Sequence, residues 1–141
     1  MANFDIEFDK VILMEGGYVN DPDDKGGETY LGISRVCNPD LQMWKTIDSI
    51  KKKYGTKGIN KRLEAENSII TEVKYIYKSR YWDVMELDEI PSQRIAHQLF
   101  DTGVNMGVKA AINIAQHLIG MTTTGKFSDE LLINLKRYDK D

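Results

Sequence analysis

Glu15 lies where a predicted helix ends, at the start of a segment rich in acidic and glycine residues. The spacing of apolar side chains predicts a helix over about residues 4–15, and a glycine pair ends it. A carboxylate in the last helical turn meets the negative end of the helix dipole, which disfavours the anion by about 0.3–1 kcal/mol. Burial behind Leu13 and Met14 would disfavour the anion further. Both effects favour the protonated carboxyl group that a general acid needs near neutral pH.

Three aspartates in the following segment, Asp21, Asp23 and Asp24, are candidates for a second carboxyl group that stays ionised. Two glycines after them tolerate backbone conformations that other residues avoid, so the loop is free to fold back over the helix end. One protonated and one ionised carboxyl group across a cleft can hydrolyse a glycosidic bond. Thr29 would add a hydroxyl group that holds a water molecule. The alternative is an acidic loop that is simply solvated.

A calcium site is not predicted for this acidic loop. Asp21, Asp23 and Gly26 occupy positions one, three and six of an EF-hand loop, but positions five and twelve are Lys25 and Gly32. Calcium binding by such a loop needs oxygen ligands at both of these positions, with a bidentate glutamate at the last. The spacing therefore excludes an EF-hand.

Histidine and cysteine do not predict a zinc site either. His97 and His117 lie on apolar helices and have no Cys or His partner at ligand spacing, so we interpret them as structural. Cys37 is the single cysteine, which excludes an intrachain disulfide. No organic cofactor is expected, because hydrolysis by two carboxyl groups needs none.

The elements that must position these groups are predicted to be mainly α-helical. Apolar periodicity and capping residues indicate about six helices, with a small β-hairpin or irregular loop over residues 16–34. The stretch ETYLGIS, residues 28–34, is the predicted strand of that segment. The helices cover about residues 4–15, 39–53, 64–81, 92–106, 108–119 and 128–135, and Asn38 is the predicted N-cap of the second.

The composition is that of one ordinary globular domain, with 141 residues, 41% hydrophobic and 29% charged. The formal net charge of −3 gives no reason to expect nucleic-acid binding. No apolar run approaches the ~18 residues of a membrane span, so no membrane insertion is expected. Asp5, Glu7 and Asp9 stand where a secretory signal needs basic residues, so we expect synthesis in the cytoplasm without a signal peptide.

Four further side chains are candidates for binding a substrate. Tyr18 and Tyr30 flank the acidic loop, and their rings could stack on sugars or pack the loop onto the helices. Asp101 and Asn105 lie four residues apart on one helix face, beside an apolar stripe. That polar pair could bind hydroxyl or acetamido groups, or it could cap neighbouring backbone.

A basic segment, KKKYGTKGINKR at residues 51–62, carries six basic side chains and no acidic one. Such a run could bind an anionic polymer or nucleic acid. The simpler interpretation is a solvated helix end whose lysines interact favourably with the helix dipole, and we favour that one.

The segment over residues 15–33 resembles the signature of a known family. That signature is Glu-Gly-Gly-Tyr, Asp-Pro, Asp-x-Gly-Gly-x-Thr and Gly-Ile, found in this chain at residues 15–18, 21–22, 24–29 and 32–33. It is similar to that of glycoside hydrolase family 108, lysozyme-like N-acetylmuramidases also grouped as secretion-activating proteins. YWDVM at residues 81–85 and FDTGVNMG at residues 100–107 resemble further family segments. The resemblance covers nearly the whole chain.

The resemblance implies a lysozyme-like fold and a peptidoglycan glycan strand as the partner. It implies cleavage of the β-1,4 bond between N-acetylmuramic acid and N-acetylglucosamine, with Glu15 as the catalytic acid. Phage-type lysozymes space a Glu, an Asp and a Thr in a similar way. That similarity favours Asp24 as the second group, with Thr29 beside it.

The resemblance also divides the chain into two regions. Residues 1–107 are predicted to form the catalytic region. From residue 108 onward the sequence resembles the start of the peptidoglycan-binding region of family members, so residues 108–141 are interpreted as a shortened form of it, packed in the same domain. As a hypothesis, the expected lack of a signal peptide fits a phage lysin that reaches the cell wall through a holin or on lysis.

Two other functions are compatible with parts of the sequence. A non-catalytic peptidoglycan-binding or secretion-accessory protein would keep the fold, and glycan binding without product release would identify it. A helical nucleic-acid-binding regulator would use the basic segment, although the net negative charge argues against it. Salt-dependent DNA binding that is lost when residues 51–53 become Gln would support the regulator.

Overall fold

The structure, a computed structural model, describes residues 1–138. This part of the chain is mainly helical with one small antiparallel sheet, as the sequence predicts. Its α-helices are α1 (Phe4–Met14), α2 (Met43–Tyr54), α3 (Ile59–Glu64), α4 (Asn67–Tyr77), α5 (Gln93–Met106), α6 (Val108–Leu118) and α7 (Asp129–Arg137). Its strands are β1 (Tyr18–Asn20), β2 (Glu28–Tyr30) and β3 (Ile33–Ser34). A π-helical turn (Lys78–Trp82) and two 3-10 turns (Asp83–Met85 and Leu87–Glu89) connect α4 to α5.

The chain forms two compact units. The sheet unit, Asp9–Ile76, contains the three strands, α2 and α3. The helical unit, Met1–Phe8 together with the described residues from Tyr77 onward, contains α5, α6 and α7. The boundary at residue 107 that the family resemblance implies is a different division of the chain, and it stays a prediction.

The sheet has the order β1-β2-β3, and both neighbouring pairs are antiparallel. The prediction of one strand over residues 28–34 is wrong, because the stretch folds back on itself as β2 and β3. The two residues between these strands, Leu31 and Gly32, have φ angles of 47° and 81°. Positive φ at both positions is the backbone of a tight hairpin turn, and glycine adopts it without strain.

Helix α2 begins at Met43 rather than at residue 39, so the predicted cap is wrong. The Asn38 side chain is used elsewhere, since its Nδ2 donates a hydrogen bond of 2.9 Å to the Ser34 carbonyl oxygen. The cap comes instead from Glu72 on α4, whose carboxylate accepts from the Met43 N–H at 2.6 Å and from the Gln42 N–H at 3.3 Å. A carboxylate at this end also meets the positive end of the helix dipole.

The predicted helix over residues 64–81 begins later, at Asn67, and does not stay α-helical to its end. Helix α3 ends at Glu64, α4 begins at Asn67, and the last residues of the predicted helix form the π-helical turn. Leu63 and Ile69 are both fully buried. In a continuous helix, residues six positions apart lie about 120° apart around the axis, so both could not lie at the centre of one buried face. The break between α3 and α4 allows both side chains to be buried.

The core of the helical unit contains an aromatic cluster. Phe4, Trp82 and Phe100 meet edge to face, with ring centroids 5.3–5.7 Å apart. The buried Trp82 indole N–H donates a hydrogen bond of 2.7 Å to Asp88 Oδ1. Helix α5 then begins as predicted, because Ser92 Oγ accepts a hydrogen bond of 3.1 Å from the Ile95 N–H.

Two neighbouring glycines should respond differently to substitution by alanine. A Cβ at Gly17 would lie 2.4 Å from Asn60 Oδ1, the atom that accepts a hydrogen bond of 2.8 Å from the Tyr18 N–H. Gly17→Ala would displace this acceptor and should lower the free energy of unfolding by about 1–3 kcal/mol. Urea denaturation measures the change. Gly16→Ala is the matched control, since a Cβ there meets nothing within 4 Å in residues 1–138. Equal losses in the two variants would contradict the prediction.

Candidate active site

Glu15 directly follows α1, at the negative end of the helix. Its N–H donates a hydrogen bond of 2.8 Å to the Val11 carbonyl oxygen, so it continues the helical pattern as predicted. The predicted shielding is wrong, because Leu13 and Met14 are 85% and 82% exposed. Glu15 itself is half-buried. Within residues 1–138 its carboxylate has no hydrogen bond or ion pair, so neither oxygen is committed to another group.

The acidic loop between β1 and β2 is held by its own carboxylates. Asp21 Oδ1 accepts the Asp23 N–H and Asp24 Oδ1 accepts the Gly26 N–H, each at 2.9 Å. The Asp24 carbonyl oxygen accepts the Gly27 N–H at 2.9 Å, where a φ of 61° favours glycine. All three aspartates are exposed. Which of them serves as the second carboxyl group stays a prediction.

The sheet register places Thr29 and Glu28 on opposite faces. Thr29 pairs with Val19 and Ser34, and directly paired residues share a face. The other face carries Tyr18, Asn20, Glu28 and Tyr30. The acidic loop joins Asn20 to Glu28, so this pair fixes the two ends of the loop.

Glu28 lies at the centre of a network that was not predicted from the sequence. Its carboxylate accepts hydrogen bonds from the Tyr18 hydroxyl, from Arg35 Nη1 at 2.9 Å and from Lys51 Nζ at 3.0 Å. The Glu28 side chain is only 10% exposed. Arg35 also binds Asp48 in a bidentate pair, with distances of 2.8 and 2.7 Å. The network ties β1 and β2 to α2.

The charge of Glu28 is stabilised by these donors. Burial raises the pKa of Glu28, but the hydrogen bonds from Tyr18, Arg35 and Lys51 outweigh it, and the pKa lies below its ordinary value. The sequence carried one signal for this residue. Strand alternation places Glu28 on the face opposite Thr29, where basic side chains of the following helix could reach it.

The two tyrosines that flank the loop have different environments. Tyr30 is fully buried, so its interpretation as a sugar-binding residue is wrong and the packing alternative is confirmed. Burial, together with the charge of Glu64, raises the pKa of Tyr30 to about 12. Tyr18 is half-buried, its hydroxyl donates to Glu28, and Lys51 Nζ lies 5.2 Å from the centre of its ring. Sugar binding by Tyr18 stays a prediction.

Asp101 and Asn105 lie on α5, in the helical unit. Asn105 Nδ2 donates to the Asp101 carbonyl oxygen at 2.9 Å and approaches Asp101 Oδ1 at 3.3 Å. The predicted pairing on one helix face is therefore confirmed. Both side chains are exposed, and their contact with a substrate stays a prediction.

Other titratable groups of the helical unit have a structural role. His97 Nδ1 contacts Oε1 of the buried Glu7 at 2.5 Å, and Gln93 Nε2 donates to Glu7 Oε2 at 2.6 Å. His97 is thus a structural histidine, as predicted. Among the described residues, no group of three or more His, Cys, Asp or Glu side chains could hold a metal ion. None of the helices in that part of the chain is both long enough and apolar enough to cross a membrane.

The candidate catalytic residues all lie within a stretch that matches a family profile. Residues 8–107, most of the chain, match Glycosyl hydrolase 108. The chain belongs to this family. Membership indicates a glycosidase. The matched stretch also contains Asp101 and Asn105 on α5.

A solved structure supports the fold of this glycosyl hydrolase 108 member. The structure of Brucella abortus SagA is similar to it, with a TM-score of 0.64 and 24% sequence identity. The alignment covers 97% of this chain and 70% of SagA. The fold is therefore mainly α and lysozyme-like, as the resemblance implied. No curated protein matches the chain.

The two tyrosine hydroxyls should respond differently to removal. Tyr30→Phe deletes a buried hydroxyl that has no partner in residues 1–138, so the free energy of unfolding should stay level or rise by up to about 1 kcal/mol. Tyr18→Phe deletes a donor to Glu28 and should lower the free energy of unfolding by about 1–2 kcal/mol. Urea denaturation of the two matched variants at neutral pH measures both effects. A larger loss for Tyr30→Phe would contradict these assignments.

The stability contributed by Glu28 should depend on pH. Its folded pKa lies below the ordinary value, so the contribution is present above the ordinary pKa and is lost as the pH falls through the folded one. Glu28→Gln should lower the free energy of unfolding by about 2 kcal/mol at about pH 7, and by less towards about pH 3. Denaturation over a pH series tests this, and a difference that does not vary with pH would refute it. Asp48→Asn is the control, because that carboxylate is 47% exposed and should contribute less than about 1 kcal/mol.

Proposed function

We propose that this glycosyl hydrolase 108 member is a peptidoglycan hydrolase of the N-acetylmuramidase type, acting at the cell wall. Its reaction would cleave the β-1,4 bond between N-acetylmuramic acid and N-acetylglucosamine. The observation that carries the proposal is the carboxylate of Glu15, which lies at the end of α1 without a partner in residues 1–138. A general acid must reach the bond it protonates, and no neighbouring group holds the Glu15 carboxylate away from a substrate.

In this mechanism Glu15 donates its proton to the oxygen that leaves the scissile bond. Asp24 supplies the negative charge that stabilises the oxocarbenium-like transition state or orients a water molecule. Its geometry supports that role, because the bond to the Gly26 N–H holds Oδ1 while Oδ2 has no partner in the described part of the chain. Thr29 would hold the water through its hydroxyl group.

Residues outside the reacting pair have supporting roles in the proposal. Asp101 and Asn105 expose a carboxylate and an amide that match sugar hydroxyl and acetamido groups. Glu28 acts as a positioning residue, because it anchors the strand that carries Thr29 and one end of the acidic loop. Tyr18 is already bonded to Glu28, which leaves its ring as the part that could meet a glycan.

Glu15→Gln should remove the activity and keep the fold. The amide has nearly the same size but cannot act as a general acid, so the rate should fall by about 10²–10⁴-fold. The assay is release of muropeptides from purified peptidoglycan, with mass spectrometry of the new ends. The parent protein should produce reducing-end N-acetylmuramic acid, and the variant should not. Glycan binding without product from the parent would instead identify a non-catalytic binding protein.

The three aspartates of the loop provide matched controls for the second group. Asp→Asn at position 21, 23 or 24 removes one charge but keeps an oxygen that can accept the loop hydrogen bonds. Asp24→Asn should lose far more activity than the other two variants at similar stability. A largest loss at Asp21 or Asp23 would reassign the second carboxyl group and leave the role of Glu15 intact.

A further inference from the structure

A groove with a volume of about 750 Å³ opens on the sheet unit, beside β1, the end of α2 and the start of α3. Its lining includes Tyr18, Asn20, Lys51, Thr56, Asn60 and Lys61. Tyr18 and Asn20 belong to the sheet face that carries Glu28. Thr29 lies on the opposite face. The groove therefore opens on the face opposite the proposed water-holding hydroxyl, and Tyr18 is the one candidate substrate-binding residue that lines it.

Part of the basic segment over residues 51–62 lines the groove, including Lys51 and Lys61. This segment carries six of the 19 basic residues of the chain and no acidic one. The other 13 basic residues stand against 22 acidic residues, which gives a net charge of −9 outside the segment. Positive charge is thus concentrated in one segment of an otherwise acidic chain. A polyanion would be attracted to this segment more strongly than to the rest of the chain.

Hydrogen-bond donors line the groove together with these charges. Asn60 Oδ1 accepts the Tyr18 N–H at 2.8 Å, which leaves the amide Nδ2 as a donor. The Thr56 hydroxyl and the exposed Lys61 ammonium are further donors. Ammonium, amide and hydroxyl groups together suit the oxygens of phosphate groups.

Two more cations of the basic segment lie against an aromatic ring. The Arg62 guanidinium carbon lies 3.5 Å from the centre of the Tyr54 ring, and Lys53 Nζ lies 5.1 Å from it. Tyr54 is 46% exposed, so this arrangement is at the surface. Stacking on a ring limits the positions of these side chains before any ligand binds. The interpretation of the segment as a merely solvated helix end does not account for this order.

We propose that this groove binds a phosphodiester-linked polyol chain, the anionic polymer of a cell wall. That the polymer comes from a cell wall rests on the proposed function. That it carries phosphate groups is inferred from the side chains of the groove. A thin single chain could follow the groove with few contacts. Nucleic-acid duplexes usually need about 600–1,000 Å² of protein surface for even a single module, and the acidic remainder of the chain would repel them.

The test uses the full chain and fluorescently labelled poly(glycerol phosphate), with binding followed by anisotropy over a range of salt concentrations. The groove variant combines Lys57→Gln, Lys61→Gln and Arg62→Gln. We expect it to bind at least about tenfold more weakly than the parent. Its slope of log affinity against log salt should be smaller by about 2, at about 0.7 for each lost phosphate contact.

A control variant with the same change in charge separates groove binding from general attraction. It combines Lys45→Gln, Lys109→Gln and Lys126→Gln, three exposed lysines outside the segment. Its affinity should stay within about twofold of the parent. Absence of binding by the parent, or equal losses in both variants, would overturn the proposal. Tighter binding of single-stranded DNA with the same number of phosphates would also overturn it, in favour of nucleic acid.

Two further measurements show whether a loss of binding comes from misfolding or from an effect on catalysis. Circular dichroism melting should give the same transition for both triple variants, and Lys61→Gln alone should show a smaller loss of affinity. The probe contains no glycosidic bond, so its binding does not depend on turnover. Muropeptide release from peptidoglycan stripped of phosphate polymers should be unchanged in the groove variant. A loss of release there would assign these residues to substrate cleavage and overturn a separate binding site.

Discussion

The buried carboxylate of Glu28 is the interaction on which the arrangement of the sheet unit depends. A charge that is only 10% exposed is costly unless several donors replace water, and three side chains do so. The donors come from β1, from the turn after β3 and from α2, so a single anion joins elements that are far apart in sequence. It also holds the strand on which Thr29 is placed and one end of the acidic loop.

The carboxyl groups of the sheet unit differ in their partners rather than in their chemistry. Glu28 has its charge neutralised by fixed donors, and Asp21 and Asp24 each use one oxygen to shape the loop. Glu15 has no such partner in residues 1–138. The carboxyl group proposed to exchange a proton is uncommitted, whereas the one that holds the fold is stabilised as the anion. In this structure Glu15 is the uncommitted carboxyl group and Glu28 is the one that holds the fold.

Local sequence signals were sufficient where an element depends on its own residues. The start of α5 follows from Ser92, whose hydroxyl bonds to the backbone three residues ahead, and α7 begins in the same way at Ser128. Local sequence signals failed where a residue distant in the sequence determines where a helix begins. Helix α2 starts at Met43 because Glu72, 29 residues further on, caps it. The spacing of nearby residues does not predict such a long-range contact.

The sequence by itself determined the family, the mainly α fold class and the position of Glu15 at a helix end, because each of these rests on short motifs or on helical periodicity. Only the tertiary structure decided that Tyr30 is buried, that Glu28 is an anchor and that the basic segment borders a groove. These properties depend on which elements pack together. Burial and pairing are set by neighbours in space, and side chains of the same type at similar spacing can meet water or a protein core.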